Sequence, residues 1–371
     1  MHKSFAAELS KLVVESMFNN YTDNHDIYRF GPAPIEKKDA SVKSAVRKKL
    51  NEKGYYSVAS TIDYVKQRLA LFSSKVDYFE YLYNLLEDDY SRDLLVKVCA
   101  YRIMGSKKIK LPMNNPEYWS KIEEIEKTLK VPGDGQLTVG QIKLSRYNLT
   151  PIGYPINLYF SGGGIYFDFV YKCYSYNQAK AKIEVEPGDF VIDGGACTGD
   201  TALFFAHSAG KKGKVYSFEF VPANLNILQQ NIDLNPSLKE NISLVKHPLW
   251  SKGGIPVYYE AEGPGTRVSM EKISEKANVV NTATIDELVN EGKIEKVDFI
   301  KMDIEGAETE ALKGAEKTIR KFKPKLAICL YHSEKDFKDI PEFIKNLNLG
   351  YKFYFNHYTM HAEESVLFCI A

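Results

Sequence analysis

One short segment constrains this chain more than any other: Phe190-Val191-Ile192-Asp193-Gly194-Gly195-Ala196-Cys197-Thr198-Gly199-Asp200. An apolar strand ends on a carboxylate, glycines turn the backbone, and residues 201–207 read as the start of a helix. Glycine lets a backbone turn sharply and approach a ligand closely, and a crossover of this kind lines the crevice at the strand ends of an open parallel sheet. Short apolar runs at 190–192, 214–218, 242–245, 297–302 and 326–330 alternate with stretches of helical period at 225–234 and 307–321. That alternation predicts an α/β domain whose parallel sheet is covered on both faces.

The preceding sequence has another texture. Apolar residues recur at helical spacing over 5–18, 41–50, 61–72 and 77–104, the last run ending at Gly105. Aromatic and branched residues then give strand-like stretches at 141–144, 156–160 and 165–174. The expected organisation is a mostly helical region with a strand hairpin over 1–164, without an assigned role, followed by the α/β domain over 165–371. With 371 residues, 44% hydrophobic, the chain has ample material for a core and is not disordered. Its net charge of +1 carries no basic excess for a nucleic-acid backbone. Cys99, Cys173, Cys197, Cys329 and Cys369 include no C-x-x-C pair, and no run is long and apolar enough for a membrane span or signal core. A cytoplasmic protein with reduced thiols is the expectation.

The turn also says which cofactor to expect. A dinucleotide fingerprint places G-x-G-x-x-G directly after the strand, so that a helix N-terminus meets a pyrophosphate. Here the spacing is D-G-G-x-x-x-G, with Gly195 and Gly199 at the close-approach positions and the carboxylate of Asp193 at the turn. A carboxylate there repels phosphates and suits a cationic, phosphate-free ligand such as S-adenosylmethionine. The next strand ends in Glu219, 20 residues after Gly199 and placed to accept hydrogen bonds from ribose hydroxyls. Thr198, Asp200 and Thr201 either touch the cofactor or cap the helix.

Farther along, Val297-Asp298-Phe299-Ile300-Lys301-Met302-Asp303-Ile304-Glu305-Gly306 breaks the rule that a buried parallel strand is continuously apolar. Lys301 is expected to pair with a nearby carboxylate. Asp303 and Glu305 at the strand end face the crevice, as does His332 at the end of the following strand. Asp303 or His332 is expected to act as general base, with Glu305 orienting the acceptor. The same three residues are also a donor set for a divalent cation such as Mg²⁺, although no metal is assigned. His207, His357 and His361 are read as structural.

These residues fall into motifs that closely resemble the FkbM-type S-adenosylmethionine-dependent methyltransferases. The matching stretches are Val191-Ile192-Asp193-Gly194-Gly195-Ala196 with Gly199-Asp200-Thr201, then Phe218-Glu219-Phe220 with Pro222 and Asn224. Lys301-Met302-Asp303-Ile304-Glu305-Gly306-Ala307-Glu308 and residues 326–332 follow in the family's order. Residues 86–92 and 101–105 are similar to a helical preface found in many members. Lys246-His247-Pro248-Leu249-Trp250 departs from the pattern, which has smaller residues before the Trp. The resemblance implies a class I methyltransferase (Rossmann-like) fold, a seven-stranded mostly parallel sheet closed by a reversing hairpin at 351–355 and 365–370. It implies a cofactor set of Asp193, Gly194, Gly195, Gly199, Thr201, Glu219 and Phe220. It also implies O-methylation of a sugar, glycan or natural-product hydroxyl, with no nucleic-acid partner. The competing readings are an NAD-dependent oxidoreductase and a non-catalytic binding module that retains the nucleotide fold.

Overall fold

A computed structural model describes residues 4–31, 58–140, 142–178, 181–260 and 263–371. The helix expected at 41–50 lies outside the described residues. The centre is a seven-stranded sheet of β1 (Phe190–Gly194), β2 (Lys214–Phe218), β3 (Ile242–Val245), β4 (Phe299–Met302), β5 (Lys325–Cys329), β6 (Lys352–His357) and β7 (Ser365–Ile370). The spatial order is β6-β7-β5-β4-β1-β2-β3. All pairs from β5 to β3 are parallel, and β7 runs antiparallel to both of its neighbours. This is the expected class I methyltransferase-like α/β architecture with its terminal hairpin. The order reverses between β1 and β4, so the crevice at a topological switch point opens above the ends of these two strands.

Alternation along the strands sends the first part of the chain to both faces of the sheet. Ile192, Ile300, Met302, Leu326 and Ile328 point to one side. There they share a core with α1 (Phe5–Ser16), α2 (Val58–Ser73), α3 (Val76–Leu85) and α4 (Asp89–Met104). Val191, Phe299, Ala327 and Cys329 point to the other side, where they pack with α5 (Pro116–Thr128) and α6 (Asp200–Ala209). α4 is buried on most sides, reaching β6 of the sheet, and α1 packs on α3 and α4.

Three local expectations change. The helix expected over 77–104 is two helices, because Leu86 is extended and the Asp88 side chain accepts the Ser91 N–H at 2.8 Å, capping α4. The strand-like stretch 165–174 is helical instead. Ser161 caps a turn over Gly162–Ile165 that continues as a π-helix over Tyr166–Val170. Its aromatic residues fill a helix interface: Tyr166 meets Tyr118 of α5 at 5.1 Å between ring centroids, and Phe169 meets Phe204 of α6 at 5.8 Å. Packing rather than strand propensity decides such a segment. The helix expected over 307–321 is split into α8 (Glu308–Lys313) and α9 (Glu316–Phe322). Gly314 at the break packs so closely that a Cβ there would lie 2.0 Å from the Trp250 carbonyl oxygen.

Candidate active site

A cavity of about 490 Å³ lies over the ends of β1, β2, β4 and β5. Its floor is the glycine turn. Gly195 has φ +80°, and a Cβ there would sit 1.9 Å from the Asp303 carbonyl oxygen, so only glycine lets these strand ends approach. Gly199, at φ +88°, precedes α6 and lies against Leu228 of α7 (Pro222–Asp233).

Beneath the turn, Asp193 stands directly between Lys301 of β4 and Ser217 of β2 in the sheet register. It is 0% exposed and lies 3.3 Å from the Lys301 ammonium. It also accepts the Thr201 hydroxyl at 3.0 Å on each oxygen and the Ser217 hydroxyl at 3.3 Å. Lys301 donates in turn to the carbonyl oxygens of Gly194 at 3.0 Å and Gly195 at 2.9 Å. Burial disfavours the charge on Lys301, but Asp193 and Asp303 outweigh it and hold the ammonium above its ordinary range. This buried network pins the shape of the turn, which is the paired role expected of Lys301.

Of the expected cofactor residues, Gly195, Glu219 and Phe220 line the cavity, whereas Asp193, Gly194, Gly199 and Thr201 lie outside its wall. Glu219 is fixed by its own loop: Oε1 accepts the N–H groups of Phe220 at 2.6 Å and Val221 at 2.7 Å, and Oε2 accepts the Asn224 amide at 3.0 Å. Burial raises its pKa, and these hydrogen bonds oppose the rise. Asn224 also lines the wall, and its buried Oδ1 has no partner among the described residues. Free acceptor capacity on Glu219 and Asn224 fits a ligand that offers hydroxyl or amino hydrogens. Of the two arginines of the wall, Arg29 pairs with Glu364 and Arg267 lies 3.9 Å from Glu305.

The wall beside the turn carries the ionisable groups. Asp303 accepts two phenol hydroxyls, Tyr331 on Oδ1 at 2.8 Å and Tyr174 on Oδ2 at 2.9 Å. Burial alone would raise its pKa, but the charges of His332 and Lys301 together with these hydroxyls hold it below the usual carboxylate value. His332 has Nε2 3.4 Å from both Asp303 Oδ1 and Glu305 Oε2, and Nδ1 3.0 Å from Glu308 Oε1. Burial opposes its charge, yet the three carboxylates push its pKa up to about 9. Glu305 sits in the left-handed region at φ +59°, with its side chain 25% exposed. Burial, helped by Asp303 and Glu308 against His332 and Arg267, brings its pKa to about 7. A non-glycine residue in that backbone region is a strain that recurs at functional sites.

The structure thus brings Asp303, Glu305 and His332 together in the lining of the cavity that Glu219 and Gly195 also line. Sequence reasoning passed over Tyr174, Tyr331, Glu308 and Arg29. Glu308 had a signal, a carboxylate on the buried side of a helix that begins just after the strand end. Arg29 had none, because it reaches the wall from far upstream. Thr198 bonds to Asp200 at 2.8 Å, so both serve the turn itself. His357 and His361 are structural, as expected: His357 bonds Ser365 and the His361 carbonyl, and His361 accepts the Asp26 N–H.

Residues 193–353 match the family model described as "Methyltransferase FkbM domain". This stretch of the chain is similar to the FkbM methyltransferase domain. S-adenosylmethionine is the cofactor of such a domain, as the turn and Glu219 led us to expect, and the dinucleotide reading is set aside. The chain is also 26% identical over 167 residues to the hexuronic acid methyltransferase AglP of Haloferax volcanii, covering 45% of this chain and 66% of that protein. It is 26% identical over 189 residues to methyltransferase sdnD of Sordaria araneosa, covering 43% of this chain and 73% of that one. The solved methyltransferase FkbM of Methylobacillus flagellatus superposes with a TM-score of 0.49 at 20% identity, covering 81% of this chain and 60% of that chain.

Among the described residues, no helix is long and apolar enough to cross a membrane.

Proposed function

We propose that this protein transfers the methyl group of S-adenosylmethionine to a hydroxyl oxygen of a sugar, glycan or natural product. The observation that carries the reading is a cluster of ionisable groups, Asp303, Glu305 and His332, in the same cavity as Gly195 and Glu219. The hexuronic acid specificity named for AglP supports a hydroxylated acceptor.

The cofactor supplies a methyl group already activated on a sulfonium. Gly195 gives its backbone room, Glu219 and Asn224 accept its hydrogens, and the Asp193–Lys301 pair keeps the turn in shape. An acceptor hydroxyl must lose its proton as the oxygen attacks. Glu305 is the base in this reading, because it faces the cavity and its carboxylate accepts no hydrogen bond from the described residues. The oxygens of Asp303 already receive two tyrosine hydroxyls, which suits it to hold His332 and the acceptor rather than to take a proton. The roles expected for Glu305 and Asp303 are thereby exchanged. Arg29 and Glu364 close the acceptor side.

The test is incubation of the protein with methyl-labelled S-adenosylmethionine and fractions of glycans, lipids and small hydroxylated metabolites. The expected result is label that resists base and mild acid, as an ether does. Label confined to nitrogen or carboxyl groups, or no label beside normal binding of S-adenosylhomocysteine, would overturn the proposal.

A further inference from the structure

The carboxylate wall beside the glycine turn is more heavily furnished than proton transfer requires. One ligand atom from each of Asp303, Glu308 and His332 lies within 4.8 Å of the others. The three come from separate elements, the end of β4, the first turn of α8 and the end of β5, so the sheet rather than local sequence assembles them. An imidazole gives one ion one nitrogen, and on His332 that atom is either Nδ1, 3.0 Å from Glu308, or Nε2, 3.4 Å from Asp303, each close to the separation of neighbouring ligands. An ion held at about 2.1 Å in octahedral geometry keeps adjacent ligand atoms about 3 Å apart.

A second observation does not depend on that clustering. Glu308 is 1% exposed, and its Oε2 has no hydrogen-bond partner among the described residues. Its other oxygen is held by the Ile304 N–H at 2.8 Å. The His332 side chain is 2% exposed, and its ring nitrogens lie among the carboxylates of Asp303, Glu305 and Glu308. Buried polar atoms in native proteins are almost always satisfied, so the open Oε2 of Glu308 marks a missing partner. Tyr174 and Tyr331 hold Asp303 in place as outer-shell groups hold a metal-ligating carboxylate.

We infer that Asp303, Glu308 and His332 form a site for a divalent cation of the Mg²⁺ or Mn²⁺ class. Two hard carboxylates with one imidazole suit these ions, and a single imidazole favours Mn²⁺. Binding releases whatever proton the imidazole carries to solvent, and the remaining coordination positions face the cavity beside Glu305. The role of the ion, though not its binding, rests on the hydroxyl-acceptor reading. A hydroxyl oxygen coordinated there becomes more acidic, its proton passes to Glu305, and the oxygen takes the methyl group from the sulfonium, which leaves as the neutral thioether.

The test is titration of the metal-stripped full chain with Mn²⁺, followed by the electron paramagnetic resonance signal of the free ion, with and without S-adenosylhomocysteine. One saturable Mn²⁺ per chain is expected, weakened at least tenfold in Glu308→Gln and His332→Gln and unchanged in Glu310→Gln. Because a buried-site variant can fail to fold, pulsed resonance on the unaltered protein supplies a second reading, the nitrogen coupling of one imidazole on bound Mn²⁺. No saturable binding, no nitrogen coupling, or equal binding by folded His332→Gln would overturn the inference. Tight Mn²⁺ binding without methylation of any hydroxyl would instead sink the proposed reaction and leave the site standing.

Discussion

Replacing Lys301 by Met tests the network beneath the glycine turn. Methionine keeps most of the length and removes the ammonium, leaving Asp193 fully buried without its ion partner. Breaking a buried pair from one side costs about 3–5 kcal/mol. Asp193 retains the hydroxyls of Thr201 and Ser217, which places the loss at the lower end, about 3 kcal/mol. The carbonyl oxygens of Gly194 and Gly195 lose their donor too, and each unsatisfied acceptor adds about 1 kcal/mol. The sum is about 5 kcal/mol of stability, read as a lower urea midpoint at constant slope. Calorimetry should show S-adenosylhomocysteine binding weakened at least tenfold, because the released turn also forms the cavity floor. The double variant Asp193→Asn with Lys301→Met should recover part of the stability, since no uncompensated charge remains. A single variant within about 1 kcal/mol of the parent, with unchanged binding, would refute the reasoning.

Gly195→Ala should fold poorly or lose cofactor binding, since its Cβ would meet the Asp303 carbonyl at 1.9 Å; normal calorimetric affinity would contradict this. Glu305→Gln should bind S-adenosylhomocysteine normally while turnover falls by about 10²–10⁴, the usual range for a lost general base, and a smaller loss in kcat moves the base elsewhere. Arg29→Ala should leave cofactor affinity within about twofold and raise the acceptor KM about tenfold, equivalent to about 1.4 kcal/mol, as measured by initial rates. Burial first, aided by Arg102 and Arg29, drives the His357 pKa down to about 3. Its folded value lies below the unfolded one of about 6.5, so its contribution is complete above that pH and fades as pH falls toward 3. Between pH 7.5 and 5 the parent should lose about 2 kcal/mol more than His357→Gln in urea titrations, and parallel losses would rule this out.

What could be read in the sequence was whatever a single element encodes. The glycine turn, the carboxylate ending β1 and the anomalous Lys301 each announce themselves within a few residues, because backbone geometry and burial act locally there. The 165–174 stretch misleads because Tyr166, Phe167 and Phe169 suit a strand face and a helix interface equally well, and only the neighbours α5 and α6 decide. The division of labour in the carboxylate wall was hidden for a related reason. Whether Asp303 or Glu305 is free to take a proton depends on Tyr174, 129 residues upstream of Asp303, and on Tyr331, 28 residues downstream. Glu308 joins the cluster only because β5 carries His332 next to it.

The first part of the chain clasps the sheet from both sides and also sends Arg29 into the cavity wall. The clasp and the cavity wall are therefore one inheritance. A chimera that swaps this segment for that of a relative exchanges the interior lining of both sheet faces together with part of the cavity wall, so a reshaped cavity must arrive with matched core residues. Grafting the upstream segment without its facing strand residues would strip the sheet of its cover before it changed a single substrate.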